Sequence, residues 1–183
     1  MLNVYKISKN NSIYGPGKRT VIWFKGCSIR CKGCINPELW NRSDDCNMSI
    51  DDLLPLIQND GVTLLGGEPL DQDDLEHLID KLIEQKKSII LFTGYSKIDF
   101  DERKRRISSK CDVVISGPYI EDLKDDSLYL RGSTNQQVTF YSSRYNEKHF
   151  DKCNIMEINI KSNEIISYGR NKNIIKELLN IDL

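Results

Sequence analysis

The stretch Thr20–Cys34, TVIWFKGCSIRCKGC, decides the reading of the chain. Its first half, Thr20 to Lys25, is rich in β-branched and aromatic residues and stops at Gly26, as a strand does when it runs into a loop. That loop carries Cys27, Cys31 and Cys34 within eight residues, a C-x3-C-x2-C spacing. All three thiols can reach one metal centre. A cubane [4Fe–4S] cluster normally takes four thiolates, one per iron, so three cysteines leave one iron without a protein ligand. Catalytic metal sites keep such a position free, whereas structural sites are closed. The competing reading is a structural zinc site completed by Cys46, His77, Cys111 or Cys153. Zinc knuckles pair their ligands as C-x2-C twice, and no second pair stands here. Cys46, Cys111 and Cys153 are irregularly spaced and read as small buried or incidental thiols.

Outward from the cysteines, the chain alternates between short apolar runs and amphipathic segments. Ser49 can cap a helix with Asp52 three residues on, although Pro55 should shorten it. Gly61 to Leu65 (GVTLL), closed by Gly66-Gly67, has the continuous apolar character of a strand buried on both faces. From Asp71 to Lys87 the spacing of Leu75, Leu78, Ile79, Leu82 and Ile83 predicts a helix with one apolar stripe. Ser88 to Phe92 follows as a strand, Asp99 to Ser108 as a charged helix, Asp112 to Ser116 as a strand. This order implies parallel βαβ units with right-handed crossovers, hence an α/β fold with its chemistry at the carboxyl ends of the strands. Gly26-Cys27, Gly66-Gly67-Glu68, Thr93-Gly94 and Ser116-Gly117-Pro118 should therefore share one edge. Beyond lie a polar stretch to Asn135, a strand at Gln137 to Tyr141, a hairpin from Ile155 to Tyr168 around Lys161-Ser162-Asn163, and a helix from Asn173 to Leu179.

Composition narrows the function classes. The 183 residues, 39% hydrophobic and 29% charged, suit a single domain over residues 1–183, with a core at about 13–141 and a carboxyl-terminal hairpin and helix at about 155–180. Lys and Arg total 26 against 27 Asp and Glu, a net charge of -1, so no global field draws the chain to nucleic acid or to an acidic membrane. No apolar run approaches the ~20 residues of a membrane span, and MLNVYKISKN lacks a secretory apolar region, so a cytoplasmic location is expected. In that compartment the six cysteines are ligands or free thiols rather than disulfides.

A second motif gives the open iron a ligand. Gly66-Gly67-Glu68-Pro69 ends a strand where missing Cβ atoms let a ligand's amino group approach the backbone, and Glu68 can accept a hydrogen bond from an ammonium or a ribose. The amino and carboxylate groups of S-adenosylmethionine (SAM) can chelate the free iron. These residues resemble the radical SAM superfamily, and within it the activating proteins of anaerobic ribonucleoside-triphosphate reductases, a group of glycyl-radical enzyme activases. Gly15-Pro16-Gly17-Lys18-Arg19, the cysteine run into Asn36-Pro37-Glu38 and Trp40, GGEP, Thr93-Gly94-Tyr95, Gly117-Pro118-Tyr119 and Arg131 to Gln136 (RGSTNQ) follow in the family's order, covering about Ile13 to Gln137. The chain departs from the family pattern at Tyr14, Ile35 and Ser116, where an acidic residue, His and Asp are usual.

The resemblance implies a partial parallel (β/α) barrel of radical SAM type, a [4Fe–4S] cluster and SAM as co-substrate. It implies Cys27, Cys31 and Cys34 as cluster ligands, with Lys32, Gly33 and Cys34 bordering SAM. Gly66, Gly67 and Glu68 would lie near the amino group of SAM, and Thr93 near its ribose or carboxylate. The cluster and SAM carry the chemistry, so no side chain is assigned a catalytic role. Reductive cleavage of SAM would leave methionine and a 5′-deoxyadenosyl radical, which takes hydrogen from a glycine Cα of a large reductase subunit; a flavodoxin-type or ferredoxin-type donor supplies the electron. Two other readings compete: a radical SAM enzyme acting on a small molecule or a peptide, and a non-catalytic iron–sulfur or zinc regulatory module. Arg103 to Arg106 (RKRR) reads either as a dock for an acidic partner or as a solvated charged helix face.

Overall fold

The computed structural model describes residues 1–151, 157–161 and 164–168. In chain order the elements are β1 (Leu2–Asn11), β2 (Arg19–Phe24), β3 (Asn47–Met48), α1 (Ile50–Leu53), β4 (Gly61–Gly66), α2 (Leu75–Glu84), β5 (Ser88–Thr93), α3 (Glu102–Ser109), β6 (Val113–Ser116), β7 (Gln137–Phe140), α4 (Glu147–Phe150), β8 (Glu157–Lys161) and β9 (Glu164–Tyr168). Seven strands form one mixed sheet in the order β3-β1-β2-β4-β5-β6-β7. Its four central strands, β2, β4, β5 and β6, are parallel, as the alternation of strands and helices requires. Antiparallel strands flank them: β1 and β3 on one side, β7 on the other. The hairpin β8–β9 is separate from this sheet, with Lys161 opposite Glu164, in the place the sequence predicts. The helix expected over Asn173 to Leu179 lies outside the described residues.

Both faces of the parallel strands are buried, which is why they read as unbroken apolar runs. Alternate residues serve opposite layers. Ile22, Phe24, Val62, Leu64, Ile89 and Leu91 meet Leu75, Leu78, Ile79 and Leu82 of α2 and Ile107 of α3. Val21, Trp23 and Leu65 pack with Ile13 and Leu39 on the other face, where Ile90, Val113 and Ile115 meet Phe140, Tyr145 and Phe150.

Several expectations need correction. The helix expected over Asp71 to Lys87 is Leu75–Glu84, because Pro69–Asp71 first makes a 3₁₀ turn. Ile83 falls at the stripe's margin and is 45% exposed. The helix expected from Asp99 begins at Glu102, where the carboxylate of Asp101 accepts the Lys104 N–H at 2.7 Å and closes the amino end. β1 has no clear signature in the sequence because register shifts between Val4 and Lys6 and between Ser8 and Asn11 break its alternation. α1 is as short as Pro55 dictates: Ser49 accepts the Asp52 N–H, and a 3₁₀ turn takes over at Leu54–Leu56.

At the amino ends of the strands sits Arg19, a fully buried arginine. It donates to Thr63 Oγ1 (2.7 Å), the carbonyls of Val62 (2.6 Å) and Ser88 (3.0 Å), and the Tyr145 hydroxyl (3.0 Å). Neutral acceptors satisfy the fork, while burial pulls the guanidinium below its ordinary value. A cavity of about 450 Å³ opens beside it, lined in part by Lys18, Asp60 and Ser88, at the edge opposite the cysteines. No helix among the described residues is long and apolar enough to cross a membrane.

Candidate functional site

Strand register brings the predicted segments to one edge. Phe24 pairs with Gly66, and Thr93 with Ser116, so the cysteine loop and the three following loops leave the sheet at similar heights. The cysteine loop is tied at its root, where the N–H groups of Gly26 and Cys27 donate to the carbonyls of Leu39 and Trp40 at 2.8 and 2.9 Å. From the other side, Gly67 N–H donates to Phe24 O, and Glu68 N–H to Gly26 O, both at 2.8 Å. The glycine pair serves this approach. A Cβ on Gly67 would stand 2.4 Å from Gly26 O, and one on Gly66 2.3 Å from the backbone nitrogen of Phe24. The glycines thus let two backbones meet, a use the sequence reading did not foresee.

Glu68 is buried and ties together the ends of β4 and β5. Its Oε1 accepts from Leu70 N–H (2.9 Å) and from the Thr93 hydroxyl (2.8 Å), and its Oε2 accepts from Gly94 N–H (2.7 Å). Burial pushes its carboxyl up to about 7 against the pull of those three donors. Thr93 is buried as well, its hydroxyl also accepting the Tyr95 N–H at 3.1 Å. Two predicted SAM-site residues are therefore hydrogen-bonded directly to each other.

Asp71, Tyr95, Ser28 and Arg42 complete this edge without having been given a site role in the sequence, where Tyr95 stood only as the end of the Thr93-Gly94-Tyr95 segment. Asp71 accepts from the Ser28 N–H and the Tyr95 hydroxyl, each at 2.8 Å, and Ser28 Oγ lies 2.9 Å from that hydroxyl. One carboxylate so joins the cysteine loop to the loop after β5. Arg42 donates to the Asp71 carbonyl. Arg103 donates to the carbonyls of Leu70 and Gln72, both at 2.7 Å, and Arg106 pairs with Glu76 at 2.7 Å. These two arginines of the RKRR run act within the molecule, bracing the turn after GGEP and tying α3 to α2. Such roles are invisible in a linear charge pattern.

The three cysteines are free, partly exposed thiols on one loop. Burial pushes the Cys27 thiol up, and the backbone N–H groups of Arg30 and Ile29 pull it back down. Burial likewise raises Cys31, opposed by the N–H of Tyr119. The net effect holds both groups above the ordinary thiol value; what suits a cluster is the donor set itself, three cysteine sulfurs on one short loop. Among the described residues, no three His, Cys, Asp or Glu side chains converge as a single-ion site; a cubane instead seats each thiolate on its own iron. Of the proposed zinc partners, Cys111 is buried with its Sγ 3.6 Å from Ile107 O, a core thiol, and His77 is exposed on α2. Lys32 points outward, its Nζ 3.5 Å from Glu121, and Gly33 lies beneath Tyr119 and Glu121.

Residues 13–139 match the family model described as a 4Fe-4S single cluster domain. An anaerobic ribonucleoside-triphosphate reductase-activating protein of Haemophilus influenzae is 34% identical over 150 residues, covering 75% of this chain and 97% of that protein. The chain belongs to this activating-protein family. Relatives of the same description from Escherichia coli and Vibrio cholerae are 28% identical over 151 residues and 29% over 150, each covering 75% of this chain and 97% of the relative. The family's matched length contains the four loops of the site edge, from the cysteines to the turn before β7.

Proposed function

We propose that this chain activates an anaerobic ribonucleotide reductase by cleaving SAM reductively at a [4Fe–4S] cluster held by Cys27, Cys31 and Cys34. The observation that carries the reading is the meeting, at one sheet edge, of a three-cysteine loop with the GGEP and Thr93-Gly94 segments, in a chain belonging to the activating-protein family. When bound, such a cluster supplies the electron that breaks the sulfonium bond of SAM. The chain's own residues bind, orient and shield. Three thiolates leave one iron open to the amino and carboxylate groups of SAM. Lys32, Gly33 and Cys34 border SAM on the cysteine loop, and Gly66, Gly67, Glu68 and Thr93 on the loops after β4 and β5. An ammonium beside Glu68 favours its carboxylate form, and the three donors on that carboxylate keep it from swinging away.

In this reading residues 1–183 form one domain whose parallel strands curl into a partial barrel, with the carboxyl edge open to a peptide loop of the large reductase subunit. A hydrogen atom passes from a glycine Cα of that loop to the 5′-deoxyadenosyl radical released from SAM, giving 5′-deoxyadenosine and leaving a glycyl radical on the partner. The electron donor is of flavodoxin or ferredoxin type. Anaerobic reconstitution with iron and sulfide, followed by dithionite and SAM, tests the chemistry. Wild type should yield 5′-deoxyadenosine and Cys31→Ala none. Adding the reductase should give a glycyl-radical signal in electron paramagnetic resonance (EPR). Full cluster loading with no 5′-deoxyadenosine, with or without reductase, overturns the reading.

A further inference from the structure

The RGSTNQ turn, Arg131 to Gln136, stands apart from the cysteines in sequence and has no role in the scheme above. Its side chains hold another segment. Gln136 Nε2 donates to Gly117 O at 2.9 Å, and Asn135 Nδ2 to Pro118 O at 2.8 Å. Ser133, fully buried, accepts the Ile120 N–H at 3.2 Å. Thr134 N–H donates to Leu123 O at 2.9 Å, so the turn grips the segment at successive points from Gly117 to Leu123. What the grip displays is apolar. Ile120 and Leu123 are 38% and 41% exposed, on a backbone that these bonds keep from folding inward.

The gripped segment lies on the cysteine loop. A Cβ built on Gly33 would stand 3.1 Å from the Tyr119 ring and 3.3 Å from the Glu121 carboxyl, while Lys32 reaches Glu121 at 3.5 Å in a solvent-exposed ion pair. Ile35, two residues beyond Gly33 and next to Cys34, is 50% exposed. Each of the two segments that meet at Gly33 thus offers aliphatic side chains to solvent, and a polar pair bridges them. Clustered exposed aliphatics with polar groups at their margin mark a protein interface. Two proteins serve this edge in the scheme above, the electron donor and the reductase. An electron crosses a gap, whereas a hydrogen atom passes only between atoms brought to about 3–3.5 Å. The reductase therefore has to rest on the loops around the cysteines, and the donor does not. We infer that Ile35, Ile120 and Leu123 form a docking surface for the large reductase subunit, taking apolar side chains beside its glycine loop, with the RGSTNQ turn holding that surface in shape.

This inference rests on the reaction proposed above, and the test separates the two. Wild type, Ile120→Asp, Leu123→Asp and Ile83→Asp are reconstituted and their affinity for the large reductase subunit is read by calorimetry. Ile83 is the control, an exposed isoleucine at the end of α2 that precedes the amino end of β5, across the sheet from the cysteines. With dithionite and SAM, 5′-deoxyadenosine is measured without reductase, and the glycyl radical against rising reductase concentration. Ile120→Asp and Leu123→Asp should make 5′-deoxyadenosine as wild type does, while the dissociation constant and the half-saturating reductase concentration each rise about tenfold or more, as for a central interface residue. Ile83→Asp should match wild type throughout. Wild-type affinity in both Ile120→Asp and Leu123→Asp overturns the inference. So does a defect seen only when a flavodoxin-type donor replaces dithionite, which would give the surface to the donor. If an aspartate variant takes up no cluster, Ile120→Ser or Leu123→Ser decides by the same measurements. A fully loaded wild type that makes no 5′-deoxyadenosine refutes the reaction beneath, and calorimetry still judges the surface.

Discussion

At the scale of single residues, Glu68 shows how a site residue also shapes stability. Its carboxyl is held near 7 in the fold against an ordinary 4.5. The folded state therefore binds the proton more tightly than the unfolded chain does. That contribution is complete below about pH 4.5 and is lost as the pH rises through about 7. The interval, at ~1.36 kcal/mol per pH unit, corresponds to about 3 kcal/mol. Apoprotein melting temperature should therefore fall between pH 5 and pH 8, and Glu68→Gln should flatten the fall; equal slopes in the two proteins would remove Glu68 as its source. The sequence placed Glu68 at the right edge and named its motif. Its bonds to Thr93 and Gly94 were illegible there, because a hydrogen bond 25 or 26 positions along the chain depends on strand register.

At the scale of elements, the loops after the strands are as interlocked as the strands themselves. Gly67→Ala would press a methyl onto the Gly26 carbonyl at 2.4 Å, forcing the GGEP and cysteine loops apart. A loss of about 1–3 kcal/mol in denaturant unfolding is expected, as for overpacked interiors, together with less iron bound per chain after reconstitution. Ser49→Ala, which removes the α1 cap remote from the cysteines, should cost about 1 kcal/mol and leave iron content unchanged. The contrast separates damage to the site from damage to the fold. The cap was legible because Ser49 and Asp52 are three residues apart and helical geometry alone brings them together. The true starts of α2 and α3 were not, since the 3₁₀ turns at Pro69–Asp71 and Lys97–Asp99 precede them without interrupting the polar pattern.

At the scale of the whole molecule, chemistry and anchoring occupy opposite edges of the sheet. Arg19 joins β2 to β4, β5 and Tyr145 where the strands begin, and without it the Val62 and Ser88 carbonyls and the Thr63 hydroxyl each lose a donor in the interior while a large buried side chain leaves a void. Arg19→Ala should cost at least about 3 kcal/mol by thermal or denaturant unfolding. The cluster's EPR spectrum should keep its wild-type shape in molecules that remain folded at low temperature, because the cysteine loop is tied at the other edge. From the sequence alone came the α/β alternation, the four parallel strands, the shared carboxyl edge and the three-cysteine loop, all of which are written in local apolar periodicity and short spacings. Tertiary structure alone decided the antiparallel flanks β1 and β7, the glycine pair as a junction between backbones, the inward duty of Arg103, and the grip of RGSTNQ on Gly117 to Leu123. Each of these joins residues far apart in the chain, and only the packing of the sheet determines which distant donors and acceptors meet.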